Sequence, residues 1–158
     1  MFKQLGKKLK DQRGLTLIEL LAVIVILGII AAIAVPSIGS LIDNTKKDAH
    51  IANAQQMVSS TKLAMATDSS LQTGTVYVTL GYLVANNYID SFKDPDNTTY
   101  ATGGNTNFGS LTETDKKSWV KVENGKVTLV KLVNDNRGVQ STTKEGIDPK
   151  NITRNDVR

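Results

Sequence analysis

One acidic residue stands inside an otherwise apolar stretch of the sequence. From Leu15 to Val35 every residue except Thr16 and Glu19 is apolar or small. As a helix rising about 1.5 Å per residue, this stretch would span about 31 Å, which matches the roughly 30 Å hydrocarbon core of a bilayer. A carboxylate inside such a span costs on the order of 2.5–3.5 kcal/mol on insertion. Because the span contains no Lys or Arg, Glu19 is expected either to pair with a cation from elsewhere or to snorkel to the interface.

One histidine and two aspartates are the next candidates for chemistry. His50 is the only histidine and the chain has no cysteine, so no zinc site is predicted and His50 is expected on the surface. Asp94 and Asp96 are spaced like the first ligands of a twelve-residue calcium loop. That pattern also needs Gly and Glu at positions where this chain has Thr99 and Asn105, so we predict a turn instead. No metal ligand is assigned, and a calcium site of another kind stays open.

Lysines are concentrated in the region of a predicted hairpin, but acids are interleaved with them. With Glu113, Asp115 and Glu123 among the lysines, a solvated face is a better interpretation than a surface for nucleic-acid phosphates. Binding of nucleic acid stays open but unsupported. No glycine-rich phosphate loop and no Ser/His/Asp arrangement is found, so we predict no catalytic residue, no cofactor and no enzyme. The lysines of this region are Lys116, Lys117, Lys121, Lys126 and Lys131.

The net charge of the chain is concentrated at its N-terminus. The 158 residues carry 19 basic and 15 acidic side chains, which gives a formal net charge of +4. Residues 1–14 hold five of the bases and one of the acids, so 14 of each remain in the rest of the chain. The basic segment therefore predicts an N-terminus that stays in the cytoplasm. Since no disulfide is possible, an exported domain would be held together by packing alone.

The border between the basic segment and the apolar span has a specific spacing. The basic segment ends at Gly14, and Glu19 is the fifth residue after it. In these features the sequence resembles the type IV pilin and pseudopilin family. The resemblance implies cleavage between Gly14 and Leu15, N-methylation of Leu15, and neutralisation of a neighbouring subunit's terminal amine by Glu19. Leu15 departs from the Phe that the family most often has there, and the leader is longer than in many members, so the subfamily stays open.

Two residues are expected to weaken the N-terminal helix. Gly28 adds backbone freedom. Pro36 lacks an N–H and clashes with the carbonyl four residues earlier, so a kink or a loosened turn is predicted near Ala32. The resemblance implies that this stretch loses helicity when subunits pack into a filament. The competing explanation is that Gly and Pro are simply common in membrane helices.

The function implied by the resemblance is that of a structural subunit of a type IV pilus or related filament. A prepilin peptidase would remove the leader from a single-pass membrane precursor. An assembly platform with its ATPase would then move the subunit into a homopolymeric fibre on the cell surface. The absence of the C-terminal disulfide loop that many Gram-negative pilins have favours a Gram-positive source.

Two alternatives to a pilus subunit stay open. The first is a pseudopilin of a competence (DNA uptake) or type II secretion-like machine. The second is a membrane-anchored or secreted binding module outside any filament, which could arise from a signal-peptidase cut after Ala34. Glu19 and the length of the apolar run count against that cut.

The elements that would position these residues predict an α+β chain of four segments. They are a leader (1–14), a transmembrane helix half (15–35), an amphipathic helix half (36–68) and a β-rich globular head (69–158). The amphipathic half should pack one side on a small antiparallel sheet. The helix side expected to face the head contains Ile38, Leu41, Ile42, Thr45, Ala49, Ala52, Gln56, Ser59 and Ser60, with Val58, Leu63, Ala64 and Met65 on an adjacent stripe.

The clearest strand signal in the head is a hairpin. Asn124-Gly125 is a strong two-residue turn signal between residues 118–123 and 126–133. Its predicted register pairs Val122 with Val127 and Val120 with Leu129 on the face that covers the helix, and Trp119 with Val130 on the opposite face. The other expected elements are a short helix within 79–89, turns at 94–97 and 134–138, a loop over 98–116, a third strand at 139–142 and a partly disordered tail from Lys144.

Overall fold

The computed structural model describes the backbone of residues 2–105 and 111–158, and the side chains of residues 16–105 and 111–158. The chain separates into two compact units, an N-terminal unit (Met1–Asp43) and a head unit (Asn44–Arg158). The order of elements is α1 (Phe2–Thr67), a 3-10 helix (Ser69–Gln72), β1 (Thr75–Thr79), α2 (Leu80–Ala85), β2 (Trp119–Glu123), β3 (Lys126–Val133), β4 (Gly138–Val139) and a second 3-10 helix (Arg154–Asp156).

Helix α1 contains the apolar span. Within the described part of the chain, Thr16–Thr67 is the one helix that is long and apolar enough to cross a membrane, by length and composition. It continues through Pro36 without a break. It ends at Thr67, and Asp68 caps the 3-10 helix that follows by accepting the Ser70 N–H at 2.9 Å. The predicted end of the helix in the polar run after Thr67 is therefore confirmed.

The buried side of α1 in the head unit differs from the predicted one. Ala52, Gln56 and Ser59 are exposed, and Leu63 is 56% exposed, so the predicted stripe was wrong for these positions. Small and polar residues occur on every side of this helix half, so its hydrophobic pattern does not clearly distinguish a buried side from an exposed one. Ser60, Val58, Ala64 and Met65 are buried as predicted. The positions with no exposure recur at steps of four and three, and they are His50, Ala54, Met57, Thr61 and Ala64.

The sheet of the head has four antiparallel strands in the order β1-β2-β3-β4. Strand β1 was missed, although Val76-Tyr77-Val78 follows Gly74 and has the β-branched and aromatic composition of a strand. Helix α2 lies within the predicted 79–89 segment. The core of the head is formed by side chains of α1, α2 and the sheet. The predicted α+β fold, a long N-terminal helix whose second half packs on a small antiparallel sheet, is confirmed.

The β2–β3 hairpin forms at the predicted turn but with a different register. Asn124 and Gly125 have φ of 48° and 76°, as a two-residue primed turn requires. Val122 pairs with Val127 as predicted, but the register shifts between Lys121 and Val122. A β-bulge of this kind inserts one extra residue and changes which side chains share a face. The resulting pairs are Val120 with Val130, Lys121 with Leu129 and Trp119 with Lys131, so Val130 and Leu132, rather than Leu129, join the core.

The C-terminal segment belongs to the head. Strand β4 is two residues long, shorter than the predicted 139–142 strand. Ile147 forms an isolated bridge with Val130, and Val157 forms one with Val139. Val157 is 4% exposed, so the expectation of partial disorder in this tail was wrong. The predicted loop has neither helix nor strand at 98–105 and 111–116, and residues 106–110 lie outside the described residues.

Candidate functional site

Residues 16–35 of the N-terminal unit present an apolar surface with one acid in it. Glu19 is exposed, and no hydrogen bond or ion pair joins its side chain to the described residues. The predicted cleavage site lies between Gly14 and Leu15, and the structure describes only the backbone of these two residues. Every large aliphatic residue from Leu17 to Val35 is at least half exposed, from 51% at Val23 to 72% at Ile33.

An exposed surface of this kind requires a cover. Soluble monomers rarely expose a contiguous apolar patch of more than a few hundred Å², and a helix that is apolar on all sides is usually buried in a protein or a membrane. Gly28 lies within this surface, and a side chain there would meet no heavy atom within 4 Å. Pro36 lies just beyond it, inside the same helix. The N-terminal unit therefore has the surface of a segment that is buried by other molecules.

An apolar helix with one acid near its start, in one chain with a small α+β head, is similar to the arrangement of type IV pilin-like prepilins. Residues 9–35 match the prokaryotic N-terminal methylation motif, which contains Gly14, Leu15 and Glu19. The match covers the N-terminal segment of the chain, and it supports a prepilin of the type IV pilin-like kind. No curated protein and no solved structure matches the chain.

His50 is the largest departure from the sequence prediction in the head. Expected on the surface, it is fully buried instead. Its Nε2 lies 3.0 Å from Oδ2 of Asp96, and its Nδ1 lies 2.8 Å from the hydroxyl of Tyr100. Because a carboxylate only accepts, Nε2 donates to Asp96, and Nδ1 shares its hydrogen bond with the Tyr100 hydroxyl. The signal for this burial was the spacing of His50 with Ala54 and Met57 on one side of the helix.

The predicted turn at Asp94–Asn97 supplies two acids to this site. Asp94 Oδ1 accepts the Asp96 N–H at 3.0 Å, and the Asn97 N–H donates to the Asp94 carbonyl at 3.1 Å. Asp94 Oδ2 accepts from the Thr98 hydroxyl and, at 2.7 Å, from the side-chain amide of Asn134. The turn is confirmed, and it ties the start of the long loop to the turn after β3.

Asp96 is paired with two basic side chains of the head, those of Arg137 and Lys46. Arg137 donates from Nε to Oδ2 at 2.7 Å and from Nη2 to Oδ1 at 2.8 Å. Lys46 Nζ lies 3.4 Å from Oδ1. The hydrogen bonds from Arg137, and next those from His50, hold the pKa of Asp96 well below its usual range.

The ligand atoms of His50, Asp94 and Asp96 lie within 4.8 Å of one another, which is a spacing that a metal ion could use. The oxygens nearest to His50 are already occupied, because Asp96 Oδ2 accepts from Arg137 and Asp94 Oδ1 accepts a backbone N–H. Arg137 and Lys46 also supply two positive charges to the two acids. The arrangement is therefore an internal ion-pair network that fastens α1 to the loop and to the β3–β4 turn.

The lysines of the hairpin region do not all behave as predicted. Lys116, Lys117 and Lys126 are exposed, as a solvated face requires. Lys121 pairs with Glu113 at 2.7 Å, which raises the pKa of the Lys121 ammonium. Lys131, in contrast, is only 1% exposed, so its assignment to a solvated face was wrong. The bulge, whose extra residue is Thr128 of β3, places Lys131 opposite Trp119, on the side of the sheet away from the core residues Val130 and Leu132.

Proposed function

We propose that this chain is a structural subunit of a type IV pilus or a related filament. The observation that carries the proposal is an exposed apolar helix with one unpaired acid, within residues that match the N-terminal methylation motif. In this proposal a prepilin peptidase cuts between Gly14 and Leu15, and Leu15 is then N-methylated. Residues 1–14 are the leader, 15–35 the membrane-spanning helix half, 36–68 the amphipathic half and 69–158 the head.

The apolar surface explains how such a subunit can lie in the membrane before assembly and pack into a filament afterwards. Before assembly, with the N-terminus in the cytoplasm, lipid covers residues 15–35. During assembly by the platform and its ATPase, the same surface exchanges lipid for the helices of other subunits, so packing holds the fibre together. Gly28 and Pro36 mark the stretch where the helix can loosen to fit that packing. The head then lies on the outside of an extracellular fibre.

Glu19 supplies the register of this assembly. An unpaired charge in an apolar setting is costly, and the new amine of Leu15 on a neighbouring subunit is a cation that removes the cost. A stagger that leaves Glu19 unpaired is disfavoured, so the acid selects one arrangement of subunits.

The test is the mass of the mature chain in cell-surface material, together with electron microscopy of the same fraction. A chain that begins at Leu15 with one added methyl group, found in long fibres, supports the proposal. A chain that begins at Met1 or at Val35 in non-fibrous material would instead favour a membrane-anchored or secreted binding module. A chain that begins at Leu15 but occurs only in the membrane, without surface fibres, would indicate a pseudopilin.

A further inference from the structure

A basic cavity opens in the head beside the turn that joins β3 to β4. Its volume is about 320 Å³, within the range of small-ligand sites. Its walls come from the end of β3, from that turn, from the segment after β4, and from Lys116 and Arg158. Among the charged residues that line it, five are basic and one, Asp135, is acidic. The basic residues are Lys116, Lys131, Arg137, Lys144 and Arg158.

Three of these cations have no partner among the residues that the structure describes. Lys116, Lys144 and Arg158 are exposed, and their side chains form no hydrogen bond or ion pair with the described residues. Arg137 differs, because Asp96 binds its guanidinium with two hydrogen bonds. The cavity therefore concentrates free positive charge on a head whose chain, beyond residue 14, is neutral by side-chain count.

Lys131 adds a buried cation to the cavity. Its Nζ donates to the backbone carbonyls of Glu113 at 3.1 Å and Asp115 at 2.7 Å, and to that of Lys144. All three donors are thus satisfied, but by carbonyls, and within the described residues no carboxylate oxygen lies within ion-pair distance. The acidic side chains of Asp115 and Glu145 act on it only from farther away. Burial of this incompletely neutralised charge lowers the pKa of Lys131.

A buried charge without an adjoining counter-charge is costly, and an anion in the cavity would reduce that cost. We propose that the cavity binds an anion of phosphate type, either free or as part of a phosphodiester chain. Lys116, Lys144 and Arg158 contact the anion directly, since ammonium and guanidinium groups are the usual partners of phosphate oxygens. Lys131 stabilises it through its charge, and Asp135 limits how much negative charge the rim accepts. This site is independent of the filament proposal.

The experiment is a titration of the full chain, in non-ionic detergent at pH 7 and constant ionic strength, with inorganic phosphate. NMR shifts of backbone amides give both the affinity and the location. We expect saturable shifts in residues 131–144. The double variant Lys144→Gln/Arg158→Gln should bind at least tenfold more weakly. The matched control, Lys62→Gln/Lys126→Gln, removes two exposed charges outside the cavity and should stay within about twofold of wild type.

Two results would overturn the site. One is the absence of saturable shifts around the cavity. The other is an equal loss of affinity in the control variant, which would indicate a diffuse electrostatic field. Melting curves from Trp119 fluorescence check that each variant is folded.

A second arm of the experiment distinguishes the source of the phosphate. If a ten-residue oligodeoxythymidylate displaces inorganic phosphate and is weakened by the same double variant, the ligand is a phosphodiester chain. If only inorganic phosphate binds, the cavity is a site for the free ion. Oligonucleotide binding that ignores the double variant would exclude the phosphodiester form of the proposal.

Discussion

Leu20 and Leu132 are the same residue type in opposite surroundings. Leu20, in the N-terminal unit, is 61% exposed, whereas Leu132, in the head unit, is fully buried. The acids of the two units differ in the same way. Glu19 has no partner in the described residues, while Asp96 is bonded by Arg137 and His50. Leu132 and Asp96 of the head are thus satisfied within the chain, whereas Leu20 and Glu19 are left for other molecules.

This difference separates the residues that stabilise the folded head from those that are available for assembly with other molecules. Burial of apolar surface stabilises whatever state removes it from water, whether that state is one folded chain or an assembly. Substitutions in the N-terminal unit should therefore change assembly and leave the folding of the head intact. Substitutions in the core of the head should lower the free energy of unfolding of the head. Trp119, the sole tryptophan, is fully buried, so its fluorescence reports on head folding in both cases.

The largest effect is expected for Glu19→Ala. Without the acid, no charge selects the register of neighbouring subunits, so we expect a complete or near-complete loss of filaments by electron microscopy of surface fractions. The unfolding curve from Trp119 fluorescence should not change. Asp90→Ala, which removes an exposed acid of the head, is the control and should retain filaments. Normal fibres made by the Glu19 variant would rule out the proposed role of this acid.

Leu132→Ala tests whether the buried residues of the head stabilise its fold. A buried Leu replaced by Ala costs about 2–5 kcal/mol through lost burial and the cavity that remains. Leu63→Ala is the matched control, because Leu63 is 56% exposed on α1 and should change the free energy of unfolding by no more than about 0.5 kcal/mol. Urea unfolding of both variants in detergent gives the difference. Similar losses in both would mean that the assigned core is incorrect.

The parts of the fold that the sequence predicts well depend on local chemistry. The apolar span and the Asn124-Gly125 turn each follow from a few adjacent residues, and both are confirmed as structural features. The spacing of Gly14 and Glu19 is local too, which is why the matched motif was recognisable. Their roles in cleavage and assembly stay predictions.

The parts that were missed depend on contacts between distant segments. His50 is buried because Asp96 and Tyr100, 46 and 50 residues later, complete its hydrogen bonds. Lys131 is buried because carbonyls of two separate loops surround its ammonium. The β-bulge at Thr128 of β3 changes the register by one residue, and no turn residue marks its position in the sequence. A single sequence does not show which distant segments come into contact in the folded chain, so these features could not be predicted from it.

Asp96→Asn should lower the free energy of unfolding of the head by an intermediate amount that depends on pH. Since Arg137 lowers the pKa of Asp96 in the folded head, the ionised acid stabilises the head above about pH 4, the ordinary range of an Asp. This stabilisation is lost as the pH falls from there towards the folded-state pKa. At pH 7 the variant should lose about 1.5–3 kcal/mol, in line with charged hydrogen bonds. The gap to wild type should shrink below about pH 4.

Unfolding curves at several pH values measure this gap. Asp90→Asn is the control, because Asp90 is exposed and has no partner in the described residues, and its curves should run parallel to those of wild type. A gap between Asp96→Asn and wild type that stays constant down to pH 2 would show that the charge of Asp96 does not stabilise the head.

The smallest effect on head stability is expected when a glycine is replaced by alanine, which can be compared at Gly125 in the head unit and at Gly39 in the N-terminal unit. Gly125 has φ of 76°, a region that costs a non-glycine residue roughly 1–2 kcal/mol, and the nearest atom to an added Cβ is 3.7 Å away. Gly125→Ala should therefore destabilise the head by about 1–2 kcal/mol through backbone conformation rather than a clash. Gly39→Ala adds a Cβ to open space on a helix, where Ala is favoured, and should leave head unfolding unchanged. If Gly125→Ala were neutral in urea unfolding, the hairpin would not depend on its left-handed turn. If Gly39→Ala shifted head unfolding, the two units would not fold independently, and the contrast between them would fail.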